Sequence, residues 1–83
     1  MKIQLTSESE KLFNTLEESA ADWNGCIFLD EIVYITPELK GNLTHLKRKK
    51  LITTFKFDDH AWVRFTDLGK ELAKEHGHDV KHW

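Results

Sequence analysis

The chain runs Thr36-Pro-Glu-Leu-Lys-Gly-Asn-Leu-Thr-His-Leu-Lys-Arg-Lys-Lys-Leu-Ile52 near its middle, and this segment predicts a helix that leads into a strand. Thr36 suits the N-cap, because its hydroxyl can accept a hydrogen bond from an early helical N–H. Pro37 suits the first helical position, and Glu38 suits the positive end of the helix dipole. A helix is therefore expected over residues 36–49.

This predicted helix has one apolar stripe and one polar, basic face. Leu39, Leu43 and Leu46 recur at the spacing of a single buried stripe. The opposite arc offers hydrogen-bond donors and acceptors with little bulk, as a helix that enters a DNA major groove requires. The residues of this arc are Lys40, Gly41, Asn42, Thr44, His45 and Arg48.

The basic residues of the chain are concentrated on this segment. Residues 39–57 hold six Lys and Arg side chains and no Asp or Glu, although the whole chain has a net charge of −2. Residues 1–38 hold two basic and eight acidic side chains, which would repel a polyanion and orient the basic segment toward it. A solvated basic face without a partner is the alternative interpretation.

Size and composition indicate one small cytoplasmic domain. The 83 residues are enough for a single core, expected over residues 1–77, with residues 78–83 as a polar tail. The single cysteine, Cys26, cannot form an internal disulfide and is expected to pack as a small hydrophobe in a reducing compartment. No apolar run reaches the length of a membrane span and no signal-peptide pattern opens the chain, so neither a membrane protein nor a secreted one is expected.

Local patterns predict a first helix, a short apolar segment and a brief second helix. Ser7 and Glu10 form a capping-box pattern, which starts a helix expected to run to about Ala20. Its apolar stripe is expected to hold Leu12, Phe13, Leu16 and Ala20. Residues 26–29 are too short an apolar run to assign as helix or strand, and residues 31–34 are expected to form a brief helix.

A hairpin and a last helix are predicted after the basic helix. Residues 51–57 and 61–65 are expected to pair, with residues 58–60 as the turn. The core face is expected to hold Phe55, Phe57, Val63 and Phe65, and the other face Thr54, Lys56, Trp62 and Arg64. The last helix is expected over about residues 67–75 and ends before Gly77.

Two junctions in the chain carry a pattern shared with a known family. Leu46-Lys-Arg-Lys-Lys-Leu-Ile52 stands where that pattern has a leucine, several charged residues and Gly-Leu-Ile, so that Lys50 replaces the glycine. Phe65-Thr-Asp-Leu-Gly-Lys-Glu-Leu72 stands where the pattern has Leu-Thr-x-x-Gly-x-x-Leu, so that Phe65 replaces the first leucine. Together with the order of the elements, these motifs resemble the winged-helix regulators of the MarR type.

The resemblance implies an α+β fold, a winged helix-turn-helix with a three-helix core, a two- to three-stranded β-hairpin wing and a short C-terminal helix. It also implies sequence-specific binding of double-stranded DNA by a small transcriptional regulator, with the helix over residues 36–49 in the major groove. The predicted DNA-binding residues are Thr36, Pro37, Lys40, Gly41, Asn42, Thr44, His45, Lys47, Arg48, Lys49, Lys50 and Lys56. The base contacts of that family map onto Pro37, Glu38, Lys40, Gly41, Thr44 and His45, and its phosphate contacts onto Arg48 and its neighbours. Our own interpretation is that Lys40, Asn42, Thr44 and His45 read base edges, and that phosphates are held by Lys47, Arg48, Lys49, Lys50 and Lys56.

The predicted wing differs from the wing of that family. Its tip carries Asp58 and Asp59, whereas the family presents arginine to the minor groove, and phosphates repel carboxylates. The chain also has no counterpart of the long terminal helices through which the family dimerises, so a homodimer stays an open question. A second function stays open as well: a winged-helix module that docks on a protein partner in transcription or replication through the wing, with Trp62 as an anchor.

No pattern in the chain points to catalysis. The polar residues include no nucleophile and base at a recognisable spacing, so an enzyme is not expected. His76, His78 and His82 have a ligand-like spacing, but a flexible tail binds metal ions only adventitiously. Neither a metal nor a cofactor is therefore predicted.

Overall fold

The structure of the protein is a computed structural model, and it describes residues 3–22, 25, 27–28 and 37–83. The predictions for Cys26, for a helix over residues 31–34 and for the Thr36 N-cap lie outside this part of the chain. The elements of the described residues, in chain order, are α1 (Ser7–Asp22), β1 (Ile27–Phe28), α2 (Pro37–Arg48), β2 (Ile52–Phe57), β3 (His60–Phe65) and α3 (Asp67–Glu75). This α+β arrangement of helices and an antiparallel hairpin is compatible with a winged-helix layout.

The cap of α1 lies at Thr6 rather than at Ser7. The hydroxyl oxygen of Thr6 accepts a hydrogen bond from the N–H of Ser9 at 3.2 Å, and its carbonyl oxygen accepts one from the N–H of Glu10 at 2.8 Å. The predicted capping box is therefore wrong by one residue, because adjacent hydroxyl residues offer two possible caps and the packing of the helix selects one. The apolar stripe is confirmed, since the buried residues of α1 include Leu12, Phe13, Leu16 and Ala20.

The helices bury their apolar stripes against one another and against one side of the sheet. In α2, Leu43 and Leu46 are buried and Leu39 is partly buried, so the predicted stripe is confirmed. α1 contacts α2 along this stripe, and α2 also contacts β2. The sheet, the junctions and α3 contribute Ile27, Leu51, Ile52, Val63, Phe65, Leu72 and Ala73 to the same core.

The three strands form one antiparallel sheet in the order β1, β3, β2, so that β3 is central. β1 adds two paired residues along one side of β3. β2 and β3 form the hairpin, whose register runs from Ile52 opposite Phe65 to Phe57 opposite His60.

The turn of the hairpin holds two residues, Asp58 and Asp59, rather than the predicted three. Both have positive φ, 55° and 62°, as a type I′ turn requires. Aspartate tolerates this left-handed region better than most side chains do. His60, predicted as part of the turn, belongs to β3 and lies opposite Phe57.

The shorter turn reverses the predicted facing of β2. Phe55 lies opposite Trp62, and opposed residues share one face of a sheet. Thr54 takes the place opposite the buried Val63. Phe55 and Phe57 are therefore on the side away from the core, where they are 39% and 68% exposed. The prediction that both share the core face is wrong, because a change of one residue in register moves every side chain of a strand to the other face.

The junction between α2 and β2 holds a lysine in a left-handed backbone conformation. The N–H of Leu51 donates to the carbonyl oxygen of Leu46 at 3.1 Å. The N–H of Lys50 donates to the carbonyl oxygen of Lys47 at 2.9 Å, which completes the hydrogen-bond pattern of a Schellman motif. Lys50 has a φ of 61°, a conformation that glycine adopts without strain.

Thr66 ties this junction to α3. Its N–H donates to the carbonyl oxygen of Leu51 at 3.0 Å, and its hydroxyl donates to the carbonyl oxygen of Lys50. The same hydroxyl oxygen accepts a hydrogen bond from the N–H of Gly69 at 3.0 Å, which makes Thr66 the N-cap of α3. One threonine thus links the end of α2, the sheet and the start of α3.

The C-terminal residues pack on the domain. The indole of Trp83 meets the ring of Phe65 edge to face, with centroids 4.9 Å apart and an interplanar angle of 81°. Val80 also packs against the core, and the backbone of Trp83 lies close to Gly25. Residues 78–83, expected as a polar tail, are therefore held against the domain by two apolar side chains.

Candidate nucleic-acid interface

The exposed side of α2 holds most of the predicted DNA-binding residues. Its exposed positions recur three or four residues apart, so they form one continuous face along the helix. These positions are Pro37, Glu38, Lys40, Gly41, Thr44, Lys47 and Arg48, of which Glu38 carries negative charge. Lys49 and Lys50, both exposed, extend this surface beyond the end of the helix. We call these residues together the basic face.

The charge of the basic face is open to a partner. Among the described residues, none of its lysine or arginine side chains forms an ion pair. Lys47 and Arg48 lie in the last turn of α2, where positive charge also interacts favourably with the helix dipole. Lys40 lies in the first half of the helix and gains nothing from the dipole, so helix stability does not explain its charge.

Gly41 lies in the middle of the basic face, on a side of α2 that no other described residue covers. A Cβ atom added at this position would meet no atom within 4 Å. Glycine in a helix interior is less stable than alanine by roughly 0.5–1 kcal/mol. The described residues therefore give no packing reason for a small residue at this position.

Two of the residues that were predicted to read base edges are partly buried. Asn42 is half-buried, and its Oδ1 accepts a hydrogen bond from the hydroxyl of the buried Ser9 at 3.3 Å. His45 is also half-buried, and its Nε2 is shielded from solvent without a hydrogen-bond partner among the described residues. Both positions border the apolar stripe of α2. The structure therefore separates Asn42 and His45 from the basic face.

Of the two remaining predicted residues, only Lys56 can be placed, and it is not part of the basic face. Lys56 is exposed on β2, opposite Ala61, on the side of the hairpin that carries Val63. It therefore belongs to a different element from the other cations. Thr36 lies outside the described residues.

A buried acid beside two histidines is a feature that the sequence did not predict. Glu17 of α1 is 1% exposed, and its Oε2 lies 2.8 Å from Nδ1 of His76, within hydrogen-bond distance. Nε2 of His78 lies 3.9 Å from the same oxygen. Burial raises the pKa of Glu17, and the hydrogen bond and charge of His76 partly oppose this rise.

The histidine spacing was visible in the sequence, but the acid that meets it was not. Glu17 and His76 are 59 residues apart, and no periodic pattern joins them. The described residues contain no group of three or more His, Cys, Asp or Glu side chains that could hold a metal ion. The cluster is thus an internal polar contact between α1 and the end of α3.

No protein-family model matches the chain, and neither a curated protein nor a solved structure matches it. Within the described part of the chain, no helix is long and apolar enough to cross a membrane. The basis for a function is therefore the geometry and charge of the surface itself.

Proposed function

We propose that this chain is a winged-helix protein that binds double-stranded DNA as a small transcriptional regulator, with α2 in the major groove. The observation that carries the proposal is the basic face, which is exposed and has no ion pair with another described residue. Residues 39–57 hold no carboxylate, and the exposed Glu38 lies in the first turn of α2, at the opposite end of the helix from Lys47 and Arg48.

Two backbone features support the winged-helix assignment. Lys50 has a left-handed φ of 61° at the junction where the pattern of the resembled family has glycine. Gly69 stands at the other glycine of that pattern, and the backbone of Leu51 leaves no room there for a side chain. A glycine at position 50 would therefore suit the left-handed backbone, and the glycine at position 69 is required by close packing.

In this proposal the basic face has a part that reads bases and a part that holds phosphates. Lys40 and Thr44 lie one turn apart, where a helix in the major groove meets base edges. The hydroxyl of Thr44 donates to the carbonyl oxygen of Lys40 at 2.9 Å, and its lone pairs remain able to accept a hydrogen bond. Lys47 and Arg48 contact phosphates and set the affinity without sequence preference.

Gly41 and the hairpin turn define how the protein approaches the duplex. Gly41 removes bulk from the centre of the basic face, so the backbone of α2 can come close to the bases. Asp58 and Asp59 at the turn are exposed carboxylates that phosphates repel. α2 rather than the hairpin turn therefore makes the closest contact with DNA.

Selection of a preferred site from random duplexes, followed by binding of variants to that site and to an unrelated duplex, tests this proposal. Lys40→Ala is expected to cost about 1–3 kcal/mol on the selected site and to reduce discrimination against the other duplex. Arg48→Ala is expected to weaken both complexes by a similar factor.

The matched control is Lys74→Ala, which removes an exposed lysine from α3 and is expected to change neither affinity. If Lys40→Ala and Arg48→Ala both bind each duplex with the same affinity as the wild type, the basic face does not bind DNA.

A further inference from the structure

The side of the β2–β3 hairpin that faces away from the core is apolar at its centre. The register assigns to this outer face Thr53, Phe55, Phe57, His60, Trp62 and Arg64. Phe57 is 68% exposed and Phe55 is 39% exposed, and they are neighbours on the same strand. Adjoining exposed aromatic side chains on a small protein mark an interaction surface, whereas single exposed apolar residues do not.

Trp62 gives the outer face a fixed centre. Its Nε1–H donates to the carbonyl oxygen of Phe57 at 3.3 Å, so the indole extends along the hairpin toward the turn. Phe55 lies directly opposite Trp62 in β2, so the two aromatic residues occupy neighbouring cross-strand positions on this face. A ring held in this way loses little conformational entropy when a partner covers it.

The two ends of the outer face carry opposite charges. Arg64, opposite Thr53, lies at one end. Asp58 and Asp59 form the turn at the other end, and all three charged side chains are exposed. Alternate residues of a strand are about 7 Å apart, so the aromatic centre lies between a positive and a negative end.

We propose that the outer face binds the outer face of a second copy of this chain in a twofold symmetric dimer. A surface with one positive end and one negative end is complementary to an inverted copy of itself. A twofold axis through the aromatic centre brings Arg64 of each copy toward the turn carboxylates of the other. The same axis places the exposed rings of Phe55 and Phe57 of the two copies at the centre of the contact. A parallel alignment of the two hairpins brings like charges together and is disfavoured.

The size of the outer face sets the strength of this dimer. Six-residue strands extend about 20 Å, and two hairpins bury less than the roughly 800 Å² per partner of a typical stable interface. The free protein is therefore expected to dimerise weakly, in the micromolar range or above. If the proposed function holds, two half-sites on one duplex strengthen the dimer, because the second contact becomes intramolecular.

Sedimentation equilibrium of the full chain without DNA, from micromolar to several hundred micromolar protein, tests the proposal. The wild type is expected to show a monomer–dimer equilibrium. Phe57→Ser is expected to weaken the dimer by about tenfold or more. The side chain of Phe57 is 68% exposed, so the fold is expected to survive this substitution, with an unchanged far-UV circular dichroism spectrum as the check. Lys74→Glu, which reverses an exposed charge on α3, is the matched control and leaves the equilibrium unchanged.

Charge reversal tests the antiparallel arrangement. Arg64→Glu alone and the double substitution Asp58→Lys with Asp59→Lys alone are each expected to weaken self-association, because like charges then meet. Both variants are first required to keep the wild-type far-UV circular dichroism spectrum, since positions 58 and 59 have positive φ, which lysine tolerates less well than aspartate. An equimolar mixture of the two variants is expected to associate about as strongly as the wild type, since every reversed charge then faces its opposite. A mixture that associates no better than its components overturns the proposal, as does a wild type that stays monomeric over the whole range.

The failure of the dimer and the failure of DNA binding give different results. A short duplex with a single site needs only the basic face, so Phe57→Ser is expected to bind it as the wild type does. Loss of DNA binding with an intact dimer contradicts the proposed function alone. Intact DNA binding by a monomer at all concentrations contradicts the dimer alone.

Discussion

Gly69 lies directly against the backbone of Leu51, and a Cβ atom built on Gly69 would lie 1.9 Å from the carbonyl oxygen of Leu51. That oxygen accepts the N–H of Thr66 at 3.0 Å, so it cannot move away without disturbing the cap of α3. α3 can therefore pack on the junction between α2 and β2 only where the residue at position 69 has no side chain.

Gly69→Ala is expected to destabilise the domain by about 2 kcal/mol or more, because the new methyl group forces backbone apart. Gly41→Ala makes the same change in α2, where the new methyl group meets no described atom beyond the helix's own backbone within 4 Å, and is expected to stabilise the domain by roughly 0.5–1 kcal/mol. In a domain of this size, 1 kcal/mol shifts the melting temperature by roughly 4–8 °C. Thermal unfolding followed by circular dichroism measures the melting temperature of each variant. Melting temperatures that change in the same direction in the two variants would contradict the packing described for Gly69.

Lys50→Gly is expected to stabilise the domain by about 1 kcal/mol, because Lys50 holds a φ of 61° that costs an L-residue roughly 1–2 kcal/mol. Lys47→Gly is the matched control: it removes the same charge from a helical position and is expected to destabilise by about 1 kcal/mol. Urea unfolding midpoints give both values. A Lys50→Gly variant less stable than the wild type would show that the left-handed conformation is not held in solution.

Larger residues at position 41 are expected to separate stability from DNA binding. Gly41→Ala and Gly41→Gln both suit an exposed helical position, so the melting temperature rises in each case. If the basic face meets the duplex closely, the affinity for DNA falls in the order Gly, Ala, Gln, by about tenfold or more for glutamine, which is about 1.4 kcal/mol. Anisotropy titrations with one labelled duplex measure the series. Equal affinities would place Gly41 outside the contact.

Glu17→Gln is expected to change how stability depends on pH. Burial raises the pKa of Glu17 above its ordinary value of 4.5, so the folded state holds the proton to a higher pH than the unfolded state does. Over that window the folded state binds more protons, and wild-type stability falls as the pH rises. Glutamine has no proton to lose, so the stability of the variant relative to the wild type is expected to be greater at pH 7 than at pH 4.

Urea unfolding at both pH values measures this difference. Glu71→Gln, which removes the same charge from an exposed position of α3, is the matched control for the change in net charge. A stability difference between Glu17→Gln and the wild type that is the same at both pH values would contradict a raised pKa at Glu17.

The sequence predicts those parts of the fold that depend on local patterns. The spacing of Leu43 and Leu46 and the position of Pro37 place α2 and its buried side correctly. The pattern after the hairpin also places α3 at the observed residues. In each case the information lies within a few turns of one helix.

The parts that it does not predict depend on a single backbone choice or on distant contacts. The side of the sheet on which Phe55 lies depends on whether His60 belongs to the turn or to the strand. The alternation of apolar and polar residues does not show which of the two holds. The contact of Glu17 with His76 joins residues 59 positions apart. In the candidate interface, charge predicts the basic face, but a small rotation of α2 decides whether a border residue such as Asn42 is buried.

Binding of the wild-type chain to a random-sequence duplex, measured by fluorescence anisotropy at low and at physiological salt, is the experiment to make first. We expect weak binding at low salt that collapses as salt is added, because the basic face displaces counterions from phosphates. Arg48→Ala is expected to reduce the slope of log affinity against log salt by about 1, and Lys74→Ala to leave it unchanged. No binding even at low salt would contradict a DNA-binding role for the basic face.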